Sequence, residues 1–248
     1  MKLLPKVLER EPLVDALFEV RLVEAAPLAE ILPGFLFQTG GAKPTVTRLP
    51  AAELPRDLRA SDPNLHFAPI VRIEMEHFVI SAGDRNVIIN CKMPYPKWAS
   101  FKAEILKIVG RIADIEVAGN VERYSLKYVN LIQAPTLAEQ VAKINMSINI
   151  GDVELVDSHA NIQVHKHENG ILHILSAVVG AQGQIADGRV VFGTVVDIDS
   201  IRNIDAIDFR TFASDLEPGL VELREANKKK FFSCLTDETI QEMGPVYD

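Results

Sequence analysis

The sequence predicts an α+β fold in two similar halves, residues 1–135 and 136–248, each a mainly antiparallel sheet packed against one long amphipathic helix. Three observations carry that expectation. Pro12 to Leu22 and Glu122 to Ile132 alternate with period two, as strands with two unlike faces do. Trp98, Phe101, Ile105, Ile108 and Ile112 recur at spacings of three and four, one apolar stripe of a helix. Glu168-Asn-Gly-Ile171 holds an Asn-Gly pair, which suits a two-residue hairpin turn needing positive φ at both central positions. The strand at 122–132 is placed to join the two sheets into one continuous domain.

In the first strand Val14, Ala16, Phe18, Val20 and Leu22 form the apolar face, while Asp15, Glu19 and Arg21 mark the other. Pro27 fits a first helical turn, and Leu28 to Leu32 read as a short helix ended by Pro33-Gly34. Residues 39–66, with Gly40-Gly41 and Pro44, Pro50, Pro55 and Pro63, read as a long irregular surface connection holding a weak strand from Thr45 to Leu49. Phe67 to Glu76 alternates again, with Val71, Ile73 and Met75 inward. Strands at His77 to Ser81 and Asn86 to Lys92 flank a hairpin turn at Ala82-Gly83-Asp84-Arg85. Pro96 opens the long helix, and Gly119-Asn120 turns the chain into the central strand. There Tyr124, Leu126, Tyr128, Asn130 and Ile132 share one face, and Arg123, Ser125, Lys127, Val129 and Leu131 the other.

In the second half, Thr136-x-x-Glu139 has the spacing of a capping box and predicts a short helix to about Ile144. Strands are expected at Asn145 to Ile150, Ala160 to His167, Ile171 to Val179 and Arg189 to Ile198. A last long helix is expected from about Pro218 to Leu235, with Leu220, Leu223, Asn227, Phe231 and Cys234 on its buried stripe. Lys228-Lys229-Lys230 near its negative end suits the helix dipole better than a nucleic-acid patch.

Candidate sites follow from these faces. The sheet face opposite the helix stripe would carry Asp15, Glu19, Arg21, Arg72, Glu74, Glu76, Arg123 and Lys127. Such mixed charge suits either a solvated face laced with ion pairs or a polar protein-docking face. On the hairpin, 168 opposes 171, so His165 and His167 share a face with Leu172 and Ile174, while His173 lies beside Lys166 on the other. Two histidines fall short of the three or four ligands zinc wants, and His159 is nearest in sequence as a third. Asp197 and Asp199 also share a face, a pair able to hold Mg²⁺ only where phosphate and further carboxylates complete the shell. Gly180, Gly183 and Gly188 lie in an open connection rather than at a strand-to-helix phosphate loop. Both pairs read first as polar strand faces.

The totals narrow the function classes. A net charge of −8 opposes non-specific binding to nucleic acid or an anionic membrane. Cys91 and Cys234 are too few for a disulfide framework and read as reduced thiols of a cytoplasmic protein. Pro5, Lys6 and Glu9 break the apolar run that a signal peptide needs, and the near-apolar stretch Ile171 to Ala181 is too short to span a bilayer. Neither Gly-x-Ser-x-Gly nor His-Glu-x-x-His occurs, and nothing points to a nicotinamide, flavin or nucleotide, so no cofactor is expected.

Three stretches together carry a family resemblance. Glu11-Pro-Leu-Val-Asp-Ala-Leu-Phe-Glu-Val-Arg21, Tyr124-Ser-Leu-Lys-Tyr-Val-Asn-Leu-Ile132 and Leu223 to Thr236 resemble the opening strand, mid-chain motif and closing helix of an uncharacterised, sporadically distributed bacterial protein family. Lys127, Leu131 and Arg224 depart from that pattern. The resemblance implies an accessory role and no established activity.

The leading expectation is a non-enzymatic interaction protein, self-associating (as a homodimer) or paired with another protein, through a face including Arg123, Lys127, Tyr124, Tyr128, Asn130, Arg21 and Glu19. Two alternatives accompany it. One is a small-ligand module with a sheet–helix pocket lined by Tyr124, Tyr128 and Asn130. The other is a metal-dependent hydrolase using His165 and His167 or Asp197 and Asp199.

Overall fold

A computed structural model describes residues 3–37, 44–115, 118–184 and 190–247. The expected glycines Gly40, Gly41 and Gly188 lie outside them. The elements run in order β1 (Val7–Leu8), β2 (Leu13–Leu22), α1 (Leu28–Phe37), β3 (Thr45–Arg48), a 3₁₀ turn (Pro50–Glu53), α2 (Arg56–Ser61), β4 (Pro69–Glu74), β5 (Phe78–Gly83), β6 (Asn86–Cys91) and α3 (Lys97–Ala113). Then come β7 (Asn120–Gln133), α4 (Leu137–Ala142), β8 (Asn149–Ile150), β9 (Val153–Glu154), β10 (Ala160–Glu168), β11 (Ile171–Gln184), β12 (Val190–Asp208), α5 (Phe209–Ser233), α6 (Asp237–Glu242) and β13 (Pro245–Val246). The fold is α+β with a large antiparallel sheet, strands in the order β10-β11-β12-β7-β2-β6-β5-β4-β3. Among the described residues, no helix is long and apolar enough to cross a membrane.

The chain forms two compact units that interleave along the sequence. One comprises Asp15–Leu126 and Ile201–Leu223. Its alternating β2 buries Ala16, Phe18, Val20 and Leu22 as the pattern requires, and pairs with β6 so that Phe18 faces Ile89 and Val20 faces Val87. The α3 stripe of Phe101, Ile105, Ile108 and Ile112 is sealed from water, each side chain contributing roughly 1.5–3 kcal/mol of burial. Phe101 stacks on Phe78 at 6.2 Å and meets Trp98 and Tyr95 edge-on. The other unit comprises Met1–Val14, Lys127–Ser200 and Arg224–Asp248. Its core gathers Ile132, Ile144, Val179, Val196, Ile198, Phe231, Phe232 and Leu235. The capping box at Thr136 forms with both hydrogen bonds, and Asn169 and Gly170 take positive φ in the β10–β11 turn.

Several elements differ from the sequence expectation. Helix α1 runs through Pro33-Gly34, because Leu28, Leu32 and Leu36 continue a buried stripe whose packing outweighs the hydrogen bond proline removes. The connection 44–66 is not merely irregular, holding the 3₁₀ turn and α2. The strand expected from Asn145 shrinks to β8. Strand β12 extends ten residues past Ile198, through polar positions whose low β-propensity is overridden by sheet pairing. Helix α5 begins at Phe209 instead of Pro218, with no intervening loop. Asp208 makes that joint: its carboxylate accepts from the backbone N–H groups of Arg210 and Thr211 at 3.1 and 3.0 Å, and the Thr211 hydroxyl, the larger influence, helps hold it below its usual pKa range. Phe209, Phe212, Leu216, Leu220 and Leu223 carry one buried stripe through Pro218.

Two glycines sit where backbones or rings approach closely. A Cβ on Gly193 would lie 2.4 Å from the Ile132 carbonyl oxygen. One on Gly219 would lie 2.3 Å from the Tyr124 hydroxyl, so the α5 backbone runs against the tip of that ring.

Candidate interaction edge and the polar sites

The nine-stranded sheet has two edges, and they are unlike. Strand β3 has four residues between Pro44 and Pro50 and carries Arg48, the kind of short, charged edge that resists adding another strand. Strand β10 has nine residues, contains neither proline nor glycine, and is exposed over nearly its whole length. Its hairpin register with β11 is continuous from Ala160↔Val179 to Glu168↔Ile171, as the Asn-Gly turn predicts. In a two-residue hairpin the residues flanking the turn are hydrogen-bonded to each other, so 168, 166, 164, 162 and 160 direct their backbone groups toward β11. The alternate residues Asn161, Gln163, His165 and His167 therefore direct their N–H and C=O groups outward. Among the described residues no strand pairs with that side.

Three of the nine side chains of this edge, Ala160, Ile162 and Val164, are apolar and share one face. Val164 is 52% exposed. With Ile162, Leu175, Met146, Ile148 and Cys234 it lines an apolar groove of about 380 Å³. On the opposite face His165 lies against Gln163, its Nε2 at 3.2 Å from Oε1. His159 opposes Gly180 near the far end of the strand, about 20 Å from His165 at the usual strand rise. Among the described residues no group of three or more His, Cys, Asp or Glu side chains converges to hold a metal ion.

The remaining predicted site residues fall in separate places. Glu19 and Arg21 lie in the unit holding β2, where Glu19 is buried and accepts from Arg21 Nε at 2.9 Å and Asn86 Nδ2 at 3.0 Å. The Arg21 guanidinium stacks over Phe67 at 4.0 Å. Residues of the 44–68 connection thus roof a face that the alternation alone would leave to water. Arg123 is half-buried in the same unit. Tyr124 is buried against Phe212 at 5.4 Å, with Arg202 as its hydrogen-bond neighbour. Arg202 in turn pairs with Glu222 at 2.9 Å. In the other unit Lys127 pairs with Asp197 at 2.7 Å, so one member of the Asp-x-Asp pair is held by an amine, and Asp199 is half-buried. Tyr128 is buried with Arg224 5.0 Å from its ring centre, and Asn130 donates to the Val196 carbonyl at 3.5 Å. Of the predicted face residues Glu19, Tyr124, Tyr128 and Asn130 are thus buried within their own units.

Asn227, expected on the buried stripe of the last helix, finds its partners on β12, far off in the sequence. Asn227 Nδ2 donates to the Ile198 carbonyl at 2.9 Å and to Ser200 Oγ at 3.0 Å, and Ser200 Oγ lies 2.9 Å from His173 Nδ1. The arrangement that uses every hydrogen has Ser200 O–H donating to His173 Nδ1, which places the imidazole proton on Nε2. A serine beside a histidine has the parts of a nucleophile and base. Ser200 is 0% and His173 2% exposed, so the pair serves as a satisfied core network beneath α5. The three come from β11, β12 and α5, and meet where α5 packs on the paired strands.

Burial first, and the charge of Lys230 second, hold the His173 pKa below its ordinary value. A depressed histidine pKa means the unfolded chain takes up the proton first. His173 therefore contributes stability that is present above the unfolded pKa and is lost as pH falls through the folded one. Melting temperatures from pH 7.5 down to 5 (about one unit either side of a free histidine) should fall more steeply in the wild type than in His173→Gln. Parallel curves would show that another group dominates.

The chain matches no model of a known protein family and no curated protein.

Proposed function

We propose that this chain is a non-enzymatic interaction protein that acts by adding a polypeptide strand to the outer edge of β10. The observation that carries this reading is the nine-residue edge itself, long, free of proline and glycine, and with the apolar Val164 exposed at its midpoint. Natural sheets cover or charge such edges, since unpaired backbone groups template pairing with another chain. Main-chain hydrogen bonds would supply affinity and alternate side-chain positions specificity. Two free cysteines, both thiols pushed up by burial, support a reduced, cytoplasmic setting. We also read the chain as two similar halves, supported by the recurrence of a hairpin followed by a long helix in β5–β6–α3 and β10–β11–β12–α5.

The test is a photo-crosslinking amino acid placed in living cells at Gln163, at Val164 or, as a control, at Thr47 in β3. The expected result is a discrete polypeptide adduct from the β10 positions and none from Thr47. Absence of adducts at both β10 positions overturns the proposal.

A further inference from the structure

Resting on that reading, we infer that the added strand is β10 of a second copy, antiparallel and related by a two-fold axis passing beside Val164. The geometry of the strand favours this register over its neighbours. Val164 is the midpoint of Ala160–Glu168, so a two-fold there pairs the whole strand with its twin. Asn161, Gln163, His165 and His167 direct their backbone groups outward, and the axis sets them opposite the partner's His167, the partner's His165, the partner's Gln163 and the partner's Asn161. These are four hydrogen-bonded pairs of two bonds each, which uses every outward donor and acceptor of the strand. Shifting the axis by one residue either way leaves part of the strand beyond its twin.

The side chains agree with the backbone. On the groove face Val164 meets the partner's Val164 and Ile162 meets the stem of the partner's Lys166, so the most exposed apolar residue of the strand is covered. Glu168 meets the partner's Ala160, and no like charges oppose one another. The axis at Lys166 would set lysine on lysine, and at His165 would set Val164 against the partner's Lys166. On the other face Gln163 meets the partner's His165, the same amide–imidazole contact that these residues make at 3.2 Å within one chain. Ile162 and Val164 also line the apolar groove, so the partner strand extends a surface already apolar. The interface is an isologous, closed contact, which ends at two copies.

The register makes a covalent prediction. Val164 and the partner's Val164 form a pair without hydrogen bonds between them, whose Cα atoms stand about 4.5 Å apart, within disulfide range. In a Cys234→Ser background, Val164→Cys should form a disulfide dimer under mild oxidation. Gln163→Cys and His165→Cys should each stay largely uncrosslinked alone but crosslink when mixed, at least about tenfold more than either does by itself. Light scattering after size exclusion of the unmodified chain should show a dimer by roughly 100 µM, the range for an interface of modest area. A dimer that crosslinks through Gln163→Cys or His165→Cys alone, and not through Val164→Cys, overturns the register. A strict monomer overturns the second copy as occupant. If the cellular adducts at Gln163 nonetheless carry another protein, strand addition stands and only self-pairing fails. If no adduct forms either, both fail together.

Discussion

Arg59→Ala is expected to destabilise the protein by about 3–5 kcal/mol, the range for removing one partner of a buried ion pair. Arg59 is 6% exposed on a six-residue helix in the 44–68 connection. Its Nε donates to Asp84 Oδ2 at 2.7 Å and its Nη2 to Oδ1 at 3.0 Å, a two-pronged contact with the hairpin turn after β5. Its remaining nitrogen donates to the carbonyls of Leu54 and Ala51. Alanine would leave a carboxylate and two carbonyls without their donor, and desolvation makes that costly. The guanidinium pKa is raised above its ordinary value, chiefly by the Asp84 hydrogen bond, so the positive charge persists at any pH where the fold exists. Urea unfolding at low and high salt would check the prediction, since a buried pair resists screening where an exposed one does not. Asp84→Ala added to Arg59→Ala should recover part of the loss, because it removes the stranded charge. A loss under about 1 kcal/mol would class the pair with exposed salt bridges.

The second large effect is expected at Gly193. The three atoms nearest to an added Cβ all belong to the β7 backbone: the Ile132 oxygen at 2.4 Å, its carbonyl carbon at 2.9 Å and the Gln133 Cα at 3.1 Å. No side-chain rotation relieves that overlap. Gly193→Ala must push the strands apart, at a cost at or above the upper end of the roughly 1–3 kcal/mol typical of overpacking. Gly219→Ala presses on a tyrosine hydroxyl instead, and a ring tip yields more readily than a strand. Thermal melts of the two variants should therefore rank Gly193→Ala as the more destabilised. The reverse order would mean that β7 yields more easily than the Tyr124 ring beneath α5.

Both results depend on features of unequal legibility in the sequence. The β2 faces, the α3 stripe, the capping box at Thr136 and the full β10–β11 register were readable, because each is set by residues near one another in the chain. Helix α2 was not, since three prolines and a run of small and charged residues mask a single turn-and-a-half of helix. The far end of β12 was hidden by Asn203, Asp205 and Asp208, which only pairing across the sheet makes acceptable as strand residues. The His173–Ser200–Asn227 network depends on contacts 27 residues or more apart. Strand β10 was found, but its position at the edge was not. Its polar alternation reads the same whether a strand has one neighbour or two, and strand order is fixed only when the whole sheet assembles.

The interleaving of the two units has a practical consequence for anyone dividing the protein. The chain passes from one unit to the other after Val14, Leu126, Ser200 and Leu223, each time inside a strand or helix rather than in a linker. A fragment ending near residue 135 would lack Ile201–Leu223 from one unit and most of the other. Truncation is thus a poor route to a minimal version of this protein, and a protease cutting at its surface should release no stable half. The tight turn at Gly151-Asp152, exposed between the two shortest neighbouring strands, is the better place for a tag or inserted reporter.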